Sequence, residues 1–177
     1  MPKVLDEPGL TIYQHYEDNG KMSIITELAC AKNIMPNEFK YFIENWQNAA
    51  KDLNPLIDQV EELEPVQGFK VAMTIAKAPW PLSARIMFSA RYPTIDFKPN
   101  EHVFVMSERG AESRINFTQA HEKDHVLAKL SVAGWHFSPI SQNDKCVGTR
   151  IFYLACADAG GNIPSSVQNI AGPKQAK

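Results

Sequence analysis

The pentapeptide His121-Glu122-Lys123-Asp124-His125 satisfies the pattern His-Glu-x-x-His. On a helix that spacing puts two imidazoles on one face as metal ligands and lets the glutamate activate a metal-bound water. The flanks do not supply the helix. Val126 to Val132 has strand character, Asn116 to Gln119 is a weak helix start, and Ala128 and Ser131 stand where the extended zinc pattern needs glycine and histidine. The expected structure is a charged hairpin loop, with no metal and no cofactor. No Gly-x-Ser-x-Gly elbow, phosphate-binding glycine loop or Cys-x-x-Cys pair occurs elsewhere. His15, His102 and His136 fall in strand-like sequence without a partner visible in the sequence, and read as structural or surface residues.

A second candidate is the stretch 83–92, SARIMFSARY. Read as a strand, it carries Ala84, Ile86, Phe88, Ala90 and Tyr92 on one face and Ser83, Arg85, Met87, Ser89 and Arg91 on the other. The mixed face is either solvated or turned toward a pocket, where two guanidinium groups would meet a buried acid or the polar head of a ligand. Both readings stand at this point.

These residues need a scaffold, and the chain supplies one mostly in strands. Leu10 to Tyr16 and Met22 to Cys30 are joined by Asp18-Asn19-Gly20-Lys21, which has the chemistry of an antiparallel turn. A helix follows, with Pro36 at its first position, Glu38 in its first turn, and Phe39, Phe42, Ile43, Trp46, Ala49 and Ala50 at three- and four-residue steps. Beyond Asn54-Pro55, strands are expected near 57–64, 69–77, 83–92, 102–108, 126–137 and 146–156, which makes about eight in all. Their short connections favour an antiparallel meander. The loop Lys77 to Leu82 holds two prolines and must lie between strands; its Trp80 is either packed over that loop or a membrane-touching aromatic. Near the end, Asp158-Ala159-Gly160-Gly161-Asn162-Ile163-Pro164 stops the last strand, turns, and starts a final helix.

Composition bounds the function. The 177 residues are 44% hydrophobic and 21% charged, as expected for one domain around one core. A formal net charge of −2 lacks the basic excess of a nucleic-acid binder. Three cysteines, Cys30, Cys146 and Cys156, suit buried thiols in a reducing cytoplasm better than a disulfide framework, so the Asn116-Phe117-Thr118 triplet is not read as a glycosylation site. The N-terminus has no apolar signal region, and no apolar run approaches the length of a membrane span.

Together these pieces resemble the START lipid-binding domains of the helix-grip group. The match rests on Asp158 to Pro164 as the closing signature, Thr149-Arg150-Ile151-Phe152-Tyr153 as the last strand, Gly134-Trp135-His136-Phe137-Ser138-Pro139 as the exit of the strand before it, Lys77 to Arg85, and Val103 to Ser107. It covers residues 10 to 171. The resemblance implies an α+β helix-grip fold over residues 1–177: a curved antiparallel sheet wrapped around a C-terminal helix, with a further helix after the first two strands. It implies non-enzymatic binding, and transfer or sensing, of one phospholipid or sterol-like lipid in a hollow apolar interior. The ligand contacts it suggests are Arg85, Met87, Arg91, Met106, Phe137, Tyr153, Val167 and Ile170. The expected protein is a monomer that touches membrane surfaces transiently. Some departures are plain: Ile86 replaces the family's aspartate, Ala159 its proline, Ser165 lies where tryptophan is usual, and no long helix precedes the first strand. Gly172-Pro173 ends the final helix after roughly two turns, so a short or truncated lid is expected. An enzymatic helix-grip protein is the alternative, with His136 and Glu108 as its acid–base candidates. A third is a domain with a filled interior that binds another protein.

Overall fold

Strand pairing dominates the computed structural model, which describes residues 1–16, 21–30, 33–46, 50, 54–78, 82–116, 121 and 123–161. In chain order the elements are β1 (Lys3–Glu7), β2 (Leu10–Tyr16), β3 (Lys21–Cys30), α1 (Pro36–Glu44), β4 (Ile57–Val66), β5 (Phe69–Ala76), β6 (Ala84–Arg91), β7 (Ile95–Lys98), β8 (Glu101–Ser107), a 3-10 turn (Glu112–Arg114), β9 (His125–Leu127), β10 (Lys129–Gln142) and β11 (Lys145–Asp158). They form one sheet in the order β1-β2-β3-β11-β10-β8-β6-β5-β4, with β7 added on β8 and β9 on β6. Every pairing is antiparallel except that of β9 with β6. The eight expected strands are present, the one near 126–137 split into β9 and β10; β1 and β7 are additional and short.

Local chemistry explains the turns. Gln67 and Gly68 between β4 and β5, and Asn143 and Asp144 between β10 and β11, all have positive φ, the conformation of two-residue hairpins that match the twist of antiparallel strands. Pro36 opens α1, and the Glu38 carboxylate accepts a hydrogen bond from the Met35 amide at 2.7 Å, satisfying a donor that the helix start leaves orphaned.

Helix α1 lies on β8 and β10. Phe39 stacks on Phe137, with ring centroids 5.3 Å apart and planes 8° apart. Ile43 packs against Phe104 and Phe137. Polar ties fix the helix laterally: Lys40 pairs with Asp96 at 2.8 Å, and His102 bridges Asp96 through Nδ1 and the Asn37 side-chain oxygen through Nε2, both at 2.6 Å. Lys40 first, then His102, holds the exposed Asp96 carboxyl below its ordinary pKa.

Because side chains alternate along a strand, the register identifies everything that shares the face under α1. From edge to edge it carries Ile12 and Gln14 on β2, Ile24 and Thr26 on β3, Ile151, Tyr153 and Ala155 on β11, Ala133, Trp135 and Phe137 on β10, His102, Phe104 and Met106 on β8, and Arg85, Met87, Ser89 and Arg91 on β6. The other face of β5 and β6 is buried too, with Val71, Met73, Ile86, Phe88 and Ala90 packed beneath Ala111 and Leu127. The mixed face of β6 is therefore not solvated: Arg85 and Ser89 are buried and Met87 and Arg91 are half-buried.

The turn after β11 has the expected construction. Gly160 and Gly161 both have positive φ, the Asp158 carboxylate accepts a hydrogen bond from the Gly160 amide at 2.9 Å, and a Cβ on Gly160 would collide with the Leu127 carbonyl. The expected final helix, with Val167 and Ile170, lies outside the described residues, as does Trp80. Among the described residues no helix is long and apolar enough to cross a membrane.

Candidate functional site

The two arginines of β6 are put to different uses. Arg85 donates from Nε to the Ala159 carbonyl at 3.1 Å, from Nη2 to Gly160 at 3.5 Å, and from Nη1 to Ser83. Its guanidinium thus holds the turn that ends β11. Arg91 donates to the Ile43 carbonyl at 3.2 Å and lies over the Phe104 ring, 5.6 Å from its centroid. Burial pulls both guanidinium groups below their ordinary pKa, and at Arg91 the carboxylates of Glu62 and Glu44 oppose that pull.

Arg91 lines a cleft together with Trp46, Glu62, Lys70, Ser89, Phe104 and Met106. Lys70 is directly opposite Arg91 across β5 and β6, an arrangement of like charges that is unfavourable unless an anion is close. The interior room of this cleft is about 30 Å³, enough for a water or two and far short of an acyl chain. The hollow expected from the resemblance, between the sheet and the final helix, lies outside the described residues; between α1 and the sheet there is little room. The reason is aromatic: Trp46 packs on Trp135 with centroids 6.2 Å apart, Trp135 on Phe104 at 5.5 Å, and Phe39 on Phe137, so α1 and the sheet meet through a filled layer.

Of the other suggested contacts, Met106 lines the cleft, Phe137 is the floor under α1, and Met87 is half-buried on the same face. Tyr153 is 4.9 Å from Trp135, centroid to centroid, and its burial pushes the phenol up to about 12. Arg91 and Met106 are thus brought together, Phe137 and Tyr153 extend the same surface across β10 and β11, and Arg85 is engaged at the turn.

Beyond Tyr153 the face continues onto β3 and β2, where Gln14 and Thr26 are only 4% and 7% exposed. Sequence reasoning did not single out Gln14, Thr26, Glu62 or Lys70. A signal existed for the first two: in Leu10, Ile12, Gln14 and in Ile24, Thr26, Leu28, a polar residue occupies a position that the alternation assigns to the interior.

The catalytic alternatives separate cleanly. His136 pairs with Val103 and Phe152, on the face away from α1, and its Nε2 meets Glu101 at 2.9 Å, which holds that carboxyl below its ordinary pKa. It does not face the cleft. The amide of Glu108 donates to the Leu130 carbonyl at the end of β8. In the His-Glu-x-x-His segment β9 begins at His125, whose ring lies edge-on to His121 at 6.4 Å; Glu122 lies outside the described residues. Among the described residues no group of three or more His, Cys, Asp or Glu side chains is arranged to hold a metal ion.

The arrangement, a long antiparallel sheet with a helix laid on one face after its third strand, is the START-like helix-grip fold. Three solved structures share it. Human STARD10 superposes with a TM-score of 0.72 at 16% identity over 96% of this chain, which spans 65% of that chain. A STAR-related lipid transfer protein fragment from Xanthomonas axonopodis gives 0.71 at 16% identity, covering 99% of this chain and 92% of its own. The lipid transfer and protein localization domain of human StarD13 (DLC2) gives 0.66 at 10% identity, with 99% and 85% covered. Comparison of the sequence with models of known families and with curated proteins finds no match.

Proposed function

We propose that the protein binds a single lipid, phospholipid or sterol-like, on the face beneath α1, and transfers or senses it without catalysing a reaction. The observation that carries this reading is the amphipathic make-up of the cleft: a partly desolvated guanidinium at Arg91, with Lys70 and Glu62, among Trp46, Phe104 and Met106. Apolar side chains accept the tail, at about 0.8 kcal/mol per methylene removed from water, and the few charged groups orient the head. The names of two of the fold neighbours, a lipid transfer protein and a lipid transfer and protein localization domain, agree with it.

With a cleft this narrow, a lipid is taken up only if the aromatic layer parts. Helix α1 is the movable wall, held by the Phe39–Phe137 stack and the Lys40–Asp96 pair. Exposed Tyr41 on α1 and Ile95 and Phe97 on β7, which Lys40 ties to that helix, support transient contact with a membrane surface. The reading is of a cytoplasmic monomer without a cofactor, a metal or a nucleic-acid partner.

Lipid co-purifying with the protein, or taken up from phosphatidylcholine vesicles and seen by native mass spectrometry, is the expected result. Absence of both overturns the proposal. The narrowness of the cleft favours a second reading, a filled domain that binds another protein, and that reading gains if no lipid is found in either experiment.

A further inference from the structure

The side-chain oxygens Oε1 of Gln14 and Oγ1 of Thr26 are buried and have no hydrogen-bond partner among the described residues. An unmatched buried polar atom costs about 1–3 kcal/mol, so two on adjoining strands call for an explanation. Register brings them together. Thr26 faces Ile12 on one side and Tyr153 on the other, and Gln14 is one diagonal step away, opposite Ile24. Tyr153, directly across from Thr26, brings a phenol to the same place. Around them the same face presents Ile12, Ile24 and Ala155, all buried; among the described residues the nearest charge on this face is the acidic Glu7 of β1, opposite Leu10, and no cation is near.

We infer that Gln14, Thr26 and Tyr153 form a binding subsite for the uncharged hydroxyl end of a lipid, separate from the charged cleft at Arg91. This rests on the lipid-binding reading above and sharpens it. The chemistry of the set selects the group. With no cation near this set among the described residues, a phosphate or carboxylate would lose its hydration and gain no counter-charge. A hydroxyl both donates and accepts, so it answers the Gln14 amide in either orientation, and the threonine and tyrosine hydroxyls can rotate to complete the set. The Tyr153 phenol is neutral and able to donate. The ligand class is therefore a sterol, a long-chain alcohol or a diacylglycerol.

The test uses the full chain and two kinds of phosphatidylcholine vesicle, one carrying cholesterol or dioleoylglycerol, the other the O-acetylated form of the same lipid, with uptake read by native mass spectrometry. Wild type should take up the free alcohol about tenfold more readily. The double variant Gln14→Leu/Thr26→Val should lose that preference while taking up the acetate as wild type does. If the double variant does not fold, the nearly isosteric Thr26→Val carries the same comparison, with a smaller loss. Equal uptake of alcohol and acetate by wild type, or a preference that survives in the variant, overturns the subsite and leaves lipid binding intact. Failure of wild type to take up any lipid, phosphatidylcholine included, overturns both.

Discussion

At the β4–β6 end of the face under α1, Arg91 meets a carbonyl, an aromatic ring and the fields of two carboxylates; at the β2–β3 end, the side-chain oxygens of Gln14 and Thr26 have no hydrogen-bond partner among the described residues. Both ends are polar groups set in apolar surroundings. The difference lies in completion. A charge cannot be left uncompensated inside a protein, so the fold has answered Arg91 itself. Neutral oxygens tolerate an open valence at smaller cost, and it is there that an incoming molecule adds most.

The contrast is removed altogether if the wall shared by the two ends goes. Phe137→Ala deletes a buried ring stacked on Phe39 and should lower stability by about 3–5 kcal/mol, measured by urea denaturation. Next in size is an alkaline effect at the neutral end. The Tyr153 pKa is raised from its ordinary 10 to about 12, so between those values the folded protein keeps a proton that the unfolded chain releases, and stability falls as pH rises. The loss should reach about 2–3 kcal/mol by the top of that window and be absent in Tyr153→Phe. Smaller again, Arg91→Met removes a hydrogen bond and a cation–π contact and should cost about 1–2 kcal/mol. The finest discrimination is one of sign: Thr26→Val, which replaces an unmatched hydroxyl by a methyl, should leave apo stability unchanged or raise it by up to about 1 kcal/mol. A clear destabilisation by Thr26→Val would mean that the hydroxyl already has a partner, and the contrast between the two ends would vanish.

Much of the fold was legible because the long strands carry their own evidence. Alternation on β2, β3 and β6 and the helical stripe from Phe39 to Trp46 place the elements and their faces. The two unforeseen strands, β1 and β7, have no such pattern: they bury almost nothing and exist because a neighbour offers a ladder, and the expected strand near 126–137 breaks because β9 is three residues caught beside β6. Sequence showed that β6 has a polar face but not that Arg85 and Arg91 part company, since that depends on where residues 43 and 159 arrive in space. The tight aromatic layer was hidden for the same reason. Apolar side chains that line a hollow and ones that fill it are written in the same letters, and only the distance between α1 and the sheet distinguishes them.

The pairing of β3 with β11 joins residues 21–30 to residues 149–158, far apart in the chain. Until the last strand is made, the hairpin β2–β3 has no partner on that edge, and Ile12 and Ile24 remain open to water. Such long loop closures are slow, and during synthesis a ribosome must deliver almost everything else before this region can settle. A chaperone that recognises apolar β-hairpins has its longest opportunity at this one.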